Sequence, residues 1–222
     1  QEALALAPGA EMGWFDMYDK EGMSAAVTGA TDMRWLSSMI AGMEHLPLDT
    51  LHKRRVTVTN GAGINAVTIA EYVVMGMLTI AKGYREVVRA QDRHDWLKDA
   101  PGKIELAGSR ALVLGYGTIG KLVQRRLQAF EVDVTVVRRQ ATGAANVLGP
   151  RQWRARLGDF DWVILAVPVT DETRHMIGAD ELAAMKRSAV LLNVARGSVV
   201  DQDALVHALQ ARSIGAAFLD VM

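Results

Sequence analysis

Apolar residues in the second half of the chain follow two alternating patterns. Short continuous apolar runs, such as ALVLG, VDVTVV, DWVILAV, AVLLNV and IGAAFLD, are separated by segments with helical spacing, such as IGKLVQRRLQAF, DELAAMK and DALVHALQA. Continuous runs are typical of strands buried on both faces, and the segments between them are typical of helices that cover a sheet. The pattern predicts an α/β fold with a doubly wound parallel (Rossmann) sheet.

The first half is less regular. RWLSS and RVTVT have the composition of strands, and a long segment from Val67 to about Arg89 is apolar nearly all round before it becomes charged. Such a helix is expected between domains or subunits, because a surface helix needs a polar face. Pro101 and Gly102 follow a charged cluster and favour a break in the chain. We therefore predict a first domain over residues 1–98, which includes the long helix, and a second over 99–222.

Composition narrows the function classes. The 222 residues are 50% hydrophobic, and 25 basic side chains balance 25 acidic ones. This balance predicts neither nucleic acid nor a membrane surface as a partner. The chain has no cysteine, which excludes disulfides and thiolate metal sites and favours a reducing, cytoplasmic location. No apolar stretch approaches the roughly twenty residues that span a bilayer, and no metal site is predicted.

Three glycines follow the first strand of the second half in VLGYGTIG, with the spacing G-x-G-x-x-G. In a strand–turn–helix unit, Gly115 permits the tight turn, Gly117 lets the backbone approach a pyrophosphate, and Gly120 allows the helix to pack on the strand. The amides of Thr118 and Ile119 then meet the phosphates at the positive end of the helix dipole. The motif predicts a dinucleotide site, since the strand and the helix stand in the required order.

Two arginines, Arg138 and Arg139, follow the next strand, where an acidic residue normally binds the adenosine ribose of NAD. A guanidinium pairs with a 2′-phosphate, which a carboxylate would repel. NADP(H) is therefore the favoured cofactor. NAD(H) remains the alternative if the two arginines are only solvated surface residues.

A second group of candidate residues lies in LLNVARGSVVDQDAL. The strand delivers Arg196 to the carboxyl edge of the sheet, where ligands of doubly wound folds bind, and Asp201 has the position of a helix N-cap. An arginine in this place can also be a salt-bridge partner, so both interpretations stay open.

Several motifs together resemble the D-isomer-specific 2-hydroxyacid dehydrogenases. They are RWLSSMIAGMEHLPLD, NGAGINAVTIAEYVV, HDW, VLGYGTIG, AVPVTDETRHMIG, NVARGSVVD and AAFLDV, in the family's order from about Arg34 to Val221. The resemblance implies a nucleotide domain beside a flavodoxin-like substrate domain, which is incomplete here. It also implies an oxidoreductase that transfers a hydride between NADP(H) or NAD(H) and a small 2-oxoacid or D-2-hydroxyacid, and a homodimer formed through the long helix.

The resemblance also implies roles for single residues. Arg196 would hold the carboxylate of the 2-oxoacid and polarise its ketone, and the backbone amides of Ala41 and Gly42 would bind the same carboxylate. The implied cofactor contacts are Val167 and Pro168 along the channel, Thr173 near the pyrophosphate, Val194 and Ala195 beside the nicotinamide ring, and Asp220 at its carboxamide. For Thr173, a structural capping role is the alternative.

One departure from the family concerns the proton donor. The family's glutamate and histidine follow the arginine at positions beyond Met222, and none of the five histidines present matches that motif. We expect this chain to bind cofactor better than it turns over substrate. Two other classes stay open: a non-catalytic nucleotide-sensing protein on the same scaffold, and a β-hydroxyacid dehydrogenase, although those enzymes carry the glycine motif at their N-terminus.

Overall fold

The computed structural model describes residues 2–15, 19–43, 45–140 and 143–222. Contacts within the chain divide it into two compact units, Gln1–Asn65 and Ala66–Met222. We call them unit 1 and unit 2.

Unit 1 is built on a small parallel sheet. Its elements are α1 (Glu2–Leu6), β1 (Met12–Phe15), α2 (Lys20–Gly29), β2 (Trp35–Ser38), α3 (Leu48–Lys53) and β3 (Thr57–Asn60), and the strand order is β1-β2-β3. The two predicted strands RWLSS and RVTVT are confirmed as β2 and β3. The sequence pattern did not predict β1, because four residues that include a glycine are too short to show a period.

The sheet of unit 1 has one apolar core on one face. Val27, Leu36 and Leu51 belong to that core and are almost fully buried. Met12 pairs with Trp35 across β1 and β2, and these side chains are 69% and 43% exposed. Alternating burial of this kind is expected when only one face of a sheet is covered.

Unit 2 is a doubly wound α/β fold. Its elements are α4 (Ala66–Ala81), α5 (Tyr84–Asp92), β4 (Arg110–Leu114), α6 (Thr118–Ala129), β5 (Asp133–Val137), β6 (Val147–Leu148), β7 (Trp162–Leu165), α7 (Ala179–Ala184), β8 (Val190–Asn193), α8 (Gln202–Gln210) and β9 (Ala216–Leu219). All six strands are parallel in the order β6-β5-β4-β7-β8-β9, and apolar cores cover both faces. This confirms the predicted parallel sheet.

The long apolar segment is two helices rather than one. α4 and α5 are bent by 71° at the break between them. Gly83 has a left-handed φ of 58°, and a side chain there would crowd Pro101 and Gly102. The Pro-Gly pair that predicted a domain boundary therefore packs against the helix break.

The compact units divide after Asn65, whereas the sequence predicted domains over 1–98 and 99–222. The physical reason is the packing of α4, whose apolar side chains join the core that also includes α6 and β4. Gly76 of α4 lies against the ring of Phe218, and the Tyr72 and Phe218 rings are 5.0 Å apart. Among the residues that the structure describes, no single helix is long and apolar enough to cross a membrane. Only α4 and α5 taken together have that length and composition, and they are bent relative to each other.

Candidate functional site

Backbone hydrogen bonds hold the carboxyl ends of the unit 2 strands in register. The first amide of each following loop donates to the last carbonyl of the neighbouring strand: Gly115 to Val137 (3.1 Å), Ala166 to Leu114 (2.8 Å), Val194 to Leu165 (3.2 Å) and Asp220 to Asn193 (3.0 Å). The strand order reverses between β4 and β7. In open α/β sheets, ligands bind outside the carboxyl ends of the strands at such a reversal.

A cleft of about 1040 Å³ opens at this point. Seven of the residues predicted from the sequence line it: Gly115, Gly117, Arg138, Arg139, Val167, Pro168 and Thr173. Its volume is at the upper end of the range that holds a small molecule or a cofactor. The structure therefore brings together residues from three separate loops that the sequence had linked only through motifs.

The three glycines of the motif differ in the physical reason why each position holds a glycine. Gly115 has a φ of 105°, and a side chain there would overlap the carbonyl of Ala166. A side chain on Gly120 would overlap the carbonyl oxygen of Gly115, so this glycine is needed for close packing of α6. Gly117 is different, because nothing lies within 4 Å of where its Cβ would stand. No described group of the protein requires a glycine at 117, and the space beside it belongs to the cleft.

The N-terminus of α6 begins directly after Gly117. The first helical hydrogen bond runs from the amide of Lys121 to the carbonyl of Gly117, at 3.0 Å. In the described part of the chain, the amides of Thr118, Ile119 and Gly120 have no acceptor, and no side chain caps the helix. Unpaired amides and the helix dipole both favour an anion at this position.

Arg138 and Arg139 extend from the end of β5 into the lining of the cleft. The Arg138 amide donates to the carbonyl of Leu148 at 3.1 Å, and its guanidinium carbon lies 6.0 Å from the centre of the Tyr116 ring. Arg139 is exposed. The cleft is therefore positively charged where the chain leaves β5.

Among the cleft residues that were not predicted from the sequence, three carry a hydroxyl or a positive charge that could meet a ligand: Tyr116, Arg151 and Arg154. Tyr116 stands between the first two glycines of the motif, so its position could have been found from the spacing, and its hydroxyl donates to Gln124 at 2.7 Å. The two arginines follow β6, a strand of two residues that shows no pattern of its own. Only the tertiary structure brings them to the cleft.

Arg154 forms an ion pair with Glu181. Its Nε donates to Oε1 of Glu181 at 2.7 Å, and its guanidinium stacks 4.4 Å from the ring of Trp153. Burial favours the neutral form of Glu181, but the hydrogen bonds from Arg154 and from the Gly178 amide outweigh it and lower the pKa of this carboxyl. Arg151, by contrast, is an exposed cation of the cleft.

Thr173 has a structural role in its own loop. Its hydroxyl donates to the carbonyl of Pro168 at 2.7 Å and accepts from the amide of Thr170 at 2.8 Å. These bonds close the turn that follows β7 and hold Pro168 at the cleft. The capping alternative is thus present in the structure, while the predicted position near a pyrophosphate stays a prediction.

The second predicted group lies at the same edge of the sheet but outside the lining of this cleft. Val194, Ala195 and Arg196 follow β8, and Asp220 follows β9. Nη1 of Arg196 donates to the carbonyl of Ala195 at 2.7 Å. In the strand order, β8 and β9 follow β7, so these residues lie at the carboxyl ends of the two strands on the far side of β7 from β4.

Gly197 and Asp201 explain how the chain turns after Arg196. A side chain on Gly197 would overlap the backbone of Met222, so a close approach of two chain segments requires the glycine. Asp201 caps α8, because its Oδ1 accepts from the amide of Ala204 at 3.0 Å. The predicted N-cap is confirmed.

Ala41 and Gly42 belong to unit 1 and lie in the loop after β2. The side-chain amide of Asn60 donates to the carbonyl of Ala41 at 2.8 Å, which ties this loop to the end of β3. Ala41 is exposed and Gly42 is buried. Their role in binding a carboxylate stays a prediction.

The chain is similar to proteins of one known family. Residues 74–222 match the family model described as "D-isomer specific 2-hydroxyacid dehydrogenase, NAD binding domain". The chain is 32% identical over 199 residues to glyoxylate/hydroxypyruvate reductase B of Yersinia enterocolitica and 31% identical over 198 residues to glycerate dehydrogenase of Methylorubrum extorquens. Each alignment covers 86% of this chain and 61% of the relative.

A solved structure is similar as well. The D-lactate dehydrogenase of Aquifex aeolicus, in complex with NAD and lactic acid, is 27% identical with a TM-score of 0.84. The similarity covers 99% of this chain and 66% of that one. With the family model matching about two thirds of its residues and the glycine cradle in place, the chain belongs to the D-isomer-specific 2-hydroxyacid dehydrogenase family.

Proposed function

We propose that this chain transfers a hydride between NADP(H), or NAD(H), and a small 2-oxoacid or D-2-hydroxyacid. The observation that supports this most directly is the cleft at the strand reversal, where Gly117 leaves unfilled space beside the free amides of α6. The chain spans 61% of the length of the two reductase and dehydrogenase relatives, so the activity of the whole protein is part of the proposal.

The residues of unit 2 fit a dinucleotide. The first turn of α6 would bind the pyrophosphate through the amides of Thr118 and Ile119. Val167 and Pro168 would line the channel, and Val194, Ala195 and Asp220 would stand at the nicotinamide end. When bound, the cofactor supplies or accepts the hydride at C4 of the nicotinamide ring.

We propose NADP(H) over NAD(H), because Arg138 and Arg139 occupy the place after β5 where an acidic residue would repel a 2′-phosphate. Fluorescence titration with NADPH and NADH tests this preference. Replacing the pair by Arg138→Asp and Arg139→Ala is expected to reverse the preference by about 1 to 3 kcal/mol, through the loss of charge-assisted bonds.

Arg125→Ala is the matched control, since Arg125 is an exposed arginine outside the cleft. This change should leave the ratio of the two dissociation constants unaltered. Equal dissociation constants for NADPH and NADH in the unmodified chain would contradict the preference.

Arg196 is proposed to grip the carboxylate of the substrate and polarise its ketone. Arg196→Lys keeps the charge but loses the planar pair of donors. In an enzyme that also carries the family's proton donor, we expect kcat/KM for 2-oxoacids such as glyoxylate and hydroxypyruvate to fall by roughly two orders of magnitude or more, the effect of losing one preorganised donor to a developing oxyanion. NADPH affinity and melting temperature should stay nearly unchanged.

Two outcomes would contradict this role. A destabilised but fully active Arg196→Lys variant would identify Arg196 as a structural residue. Tight dinucleotide binding with no binding of any small 2-oxoacid or D-2-hydroxyacid by the unmodified chain would favour the nucleotide-sensing alternative.

We further propose that two copies associate through the segment from Val67 to Trp96, which contains most of α4. Val67 and Met75 are 51% and 48% exposed although α4 is apolar around most of its circumference. Light scattering at micromolar concentration should give the mass of two chains, and Met75→Glu should shift it toward one. Val206→Glu on α8, a similarly exposed apolar site, is the control. A mass of one chain for the unmodified protein would contradict the dimer.

The cytoplasmic location stays a prediction.

A further inference from the structure

A buried polar side chain ends the apolar strand β8. Asn193 is 1% exposed, and the three residues before it in β8 are buried apolar side chains. Its neighbours in the sheet are Leu165 and Leu219. Burying a side-chain amide without hydrogen bonds is unfavourable, so the hydrogen-bond partners of Asn193 explain its presence in the core.

Both polar atoms of the Asn193 side chain bond to the turn that carries Arg196. Oδ1 accepts from the amide of Ala195 at 3.0 Å, and Nδ2 donates to the carbonyl of Arg196 at 2.9 Å. These partners fix the orientation of the side-chain amide, since an N–H needs an acceptor and a carbonyl needs a donor. The side chain therefore bridges the two peptide groups on either side of the Ala195–Arg196 bond.

The backbone of Asn193 makes a third connection. Its carbonyl accepts from the amide of Asp220 at 3.0 Å. Asn193 thus contacts Ala195, Arg196 and Asp220, the residues to which the family resemblance assigns roles at the nicotinamide and the substrate.

The hydrogen bonds of Asn193 hold Arg196 in a defined backbone conformation. Arg196 is extended, with φ of −150° and ψ of 151°, and its carbonyl accepts a second bond from the amide of Val199 at 3.2 Å. A fixed backbone at this position limits the region that the Arg196 guanidinium can reach, which is how supporting residues hold a binding group near its productive geometry. Misplacing such a group by about 1 Å can reduce catalysis by about two orders of magnitude.

We propose that Asn193 is a positioning residue that holds the Ala195–Arg196 turn so that the Arg196 guanidinium is presented to the substrate carboxylate. The inference rests on the proposed function of Arg196. A purely structural Asn193 would stabilise the sheet and would leave substrate affinity unchanged in a folded variant.

The experiment compares substrate affinity with cofactor affinity in the same variants. Oxamate, a 2-oxoacid analogue that is not reduced, is titrated into the NADPH-loaded chain, and NADPH binding and melting temperature are measured separately. Asn193→Leu removes both side-chain bonds, whereas Asn193→Asp keeps the acceptor and loses the donor. Thr135→Val, at another buried polar residue of the same sheet, is the matched control, and Arg196→Ala is the reference for lost substrate binding.

We expect the oxamate dissociation constant to rise about tenfold or more in Asn193→Leu and about threefold or more in Asn193→Asp, which is the scale of one or two lost hydrogen bonds. NADPH affinity should change less than about threefold, because the amides proposed to bind the pyrophosphate belong to the first turn of α6 and not to the turn at Arg196. Thr135→Val should change neither constant by more than about twofold at a similar melting temperature. If Asn193→Leu does not fold, the Asn193→Asp result decides.

The possible failures are distinguishable. If Arg196→Ala and the unmodified chain bind oxamate equally, or neither binds it, the proposed role of Arg196 fails, and the role of Asn193 fails with it. If Arg196→Ala loses oxamate while both folded Asn193 variants bind it as the unmodified chain does, only the positioning role is overturned. The same holds if Thr135→Val weakens oxamate binding as much as the Asn193 variants do.

Discussion

The two parallel sheets of this chain differ in how their strands are covered. In unit 2, every residue of β7 and β8 is buried, because an apolar core lies against each face. In unit 1, burial alternates along β1 and β2, and Met12, Trp14 and Trp35 are exposed on one face. The strands of both units are parallel, so the difference lies in the helices and cores around them.

The difference also explains where the site forms. The six-stranded sheet reverses its strand order between β4 and β7, and the loops that leave those strands diverge and open a cleft. The three strands of unit 1 run in chain order, β1-β2-β3, without a reversal among the described residues. A parallel sheet alone therefore does not create a site of this kind; the reversal of strand order does.

The largest expected effect tests the difference in coverage. Leu165→Ala in β7 should lower the free energy of unfolding of unit 2 by about 2 to 5 kcal/mol, because it leaves a cavity in a core with no exposed side. Trp14→Ser in β1 removes a larger side chain but one that is 64% exposed, and should change stability by less than about 1 kcal/mol. Urea denaturation monitored by circular dichroism measures both. Equal losses would show that the exposed face of unit 1 is covered in solution.

A second prediction separates folding from binding at the cleft. Gly117→Val should leave the melting temperature nearly unchanged, because the space for its side chain is open. Dinucleotide affinity should fall about tenfold or more, equivalent to about 1.4 kcal/mol, since the side chain would occupy the space beside the amides at the start of α6. Gly120→Val is the matched comparison and should lower both, because its side chain would press on the carbonyl of Gly115. Unchanged affinity in a folded Gly117→Val variant would contradict the dinucleotide site.

The smallest expected effect extends the comparison to charge. All ion pairs found among the described residues lie in unit 2, and so do the three carboxyls with a lowered pKa, Asp159, Asp161 and Glu181. A carboxyl whose pKa is lowered by folding stabilises the fold above its ordinary pKa, and this stabilisation is lost as the pH falls through the folded value. Acid should therefore weaken unit 2 through these groups.

Glu181→Gln tests this point, since Glu181 is 17% exposed and bonds both Arg154 and the Gly178 amide. The change should cost about 0.5 to 1.5 kcal/mol at pH 7, a modest value because Arg154 is partly solvated. The gap between the variant and the unmodified chain should close as the pH falls below 4.5, the ordinary pKa of the carboxyl. Urea midpoints at pH 7 and at lower pH measure the gap, and a gap that is constant with pH would contradict the assignment.

Much of unit 2 could be predicted from local patterns. Five of its six strands appear as continuous apolar runs, and the glycine spacing predicted the turn from β4 into α6. The missing strand, β6, has two residues and therefore no period that a pattern could show. The same limit applies to β1 in unit 1, where a glycine interrupts four residues. Short strands depend on pairing with a neighbour, and pairing is not a local property.

The sequence by itself determined the parallel α/β class, the glycine motif, the arginine pair after β5, the cap at Asp201 and the family resemblance, because each depends on residues close together in the chain. Only the tertiary structure decided that α4 packs with unit 2, that its apolar segment bends at Gly83, and that Arg151 reaches the cleft. It also showed that Gly117 faces open space and that Asn193 clamps the turn at Arg196. These features depend on what a residue meets after folding, which the spacing of residues along a chain does not encode.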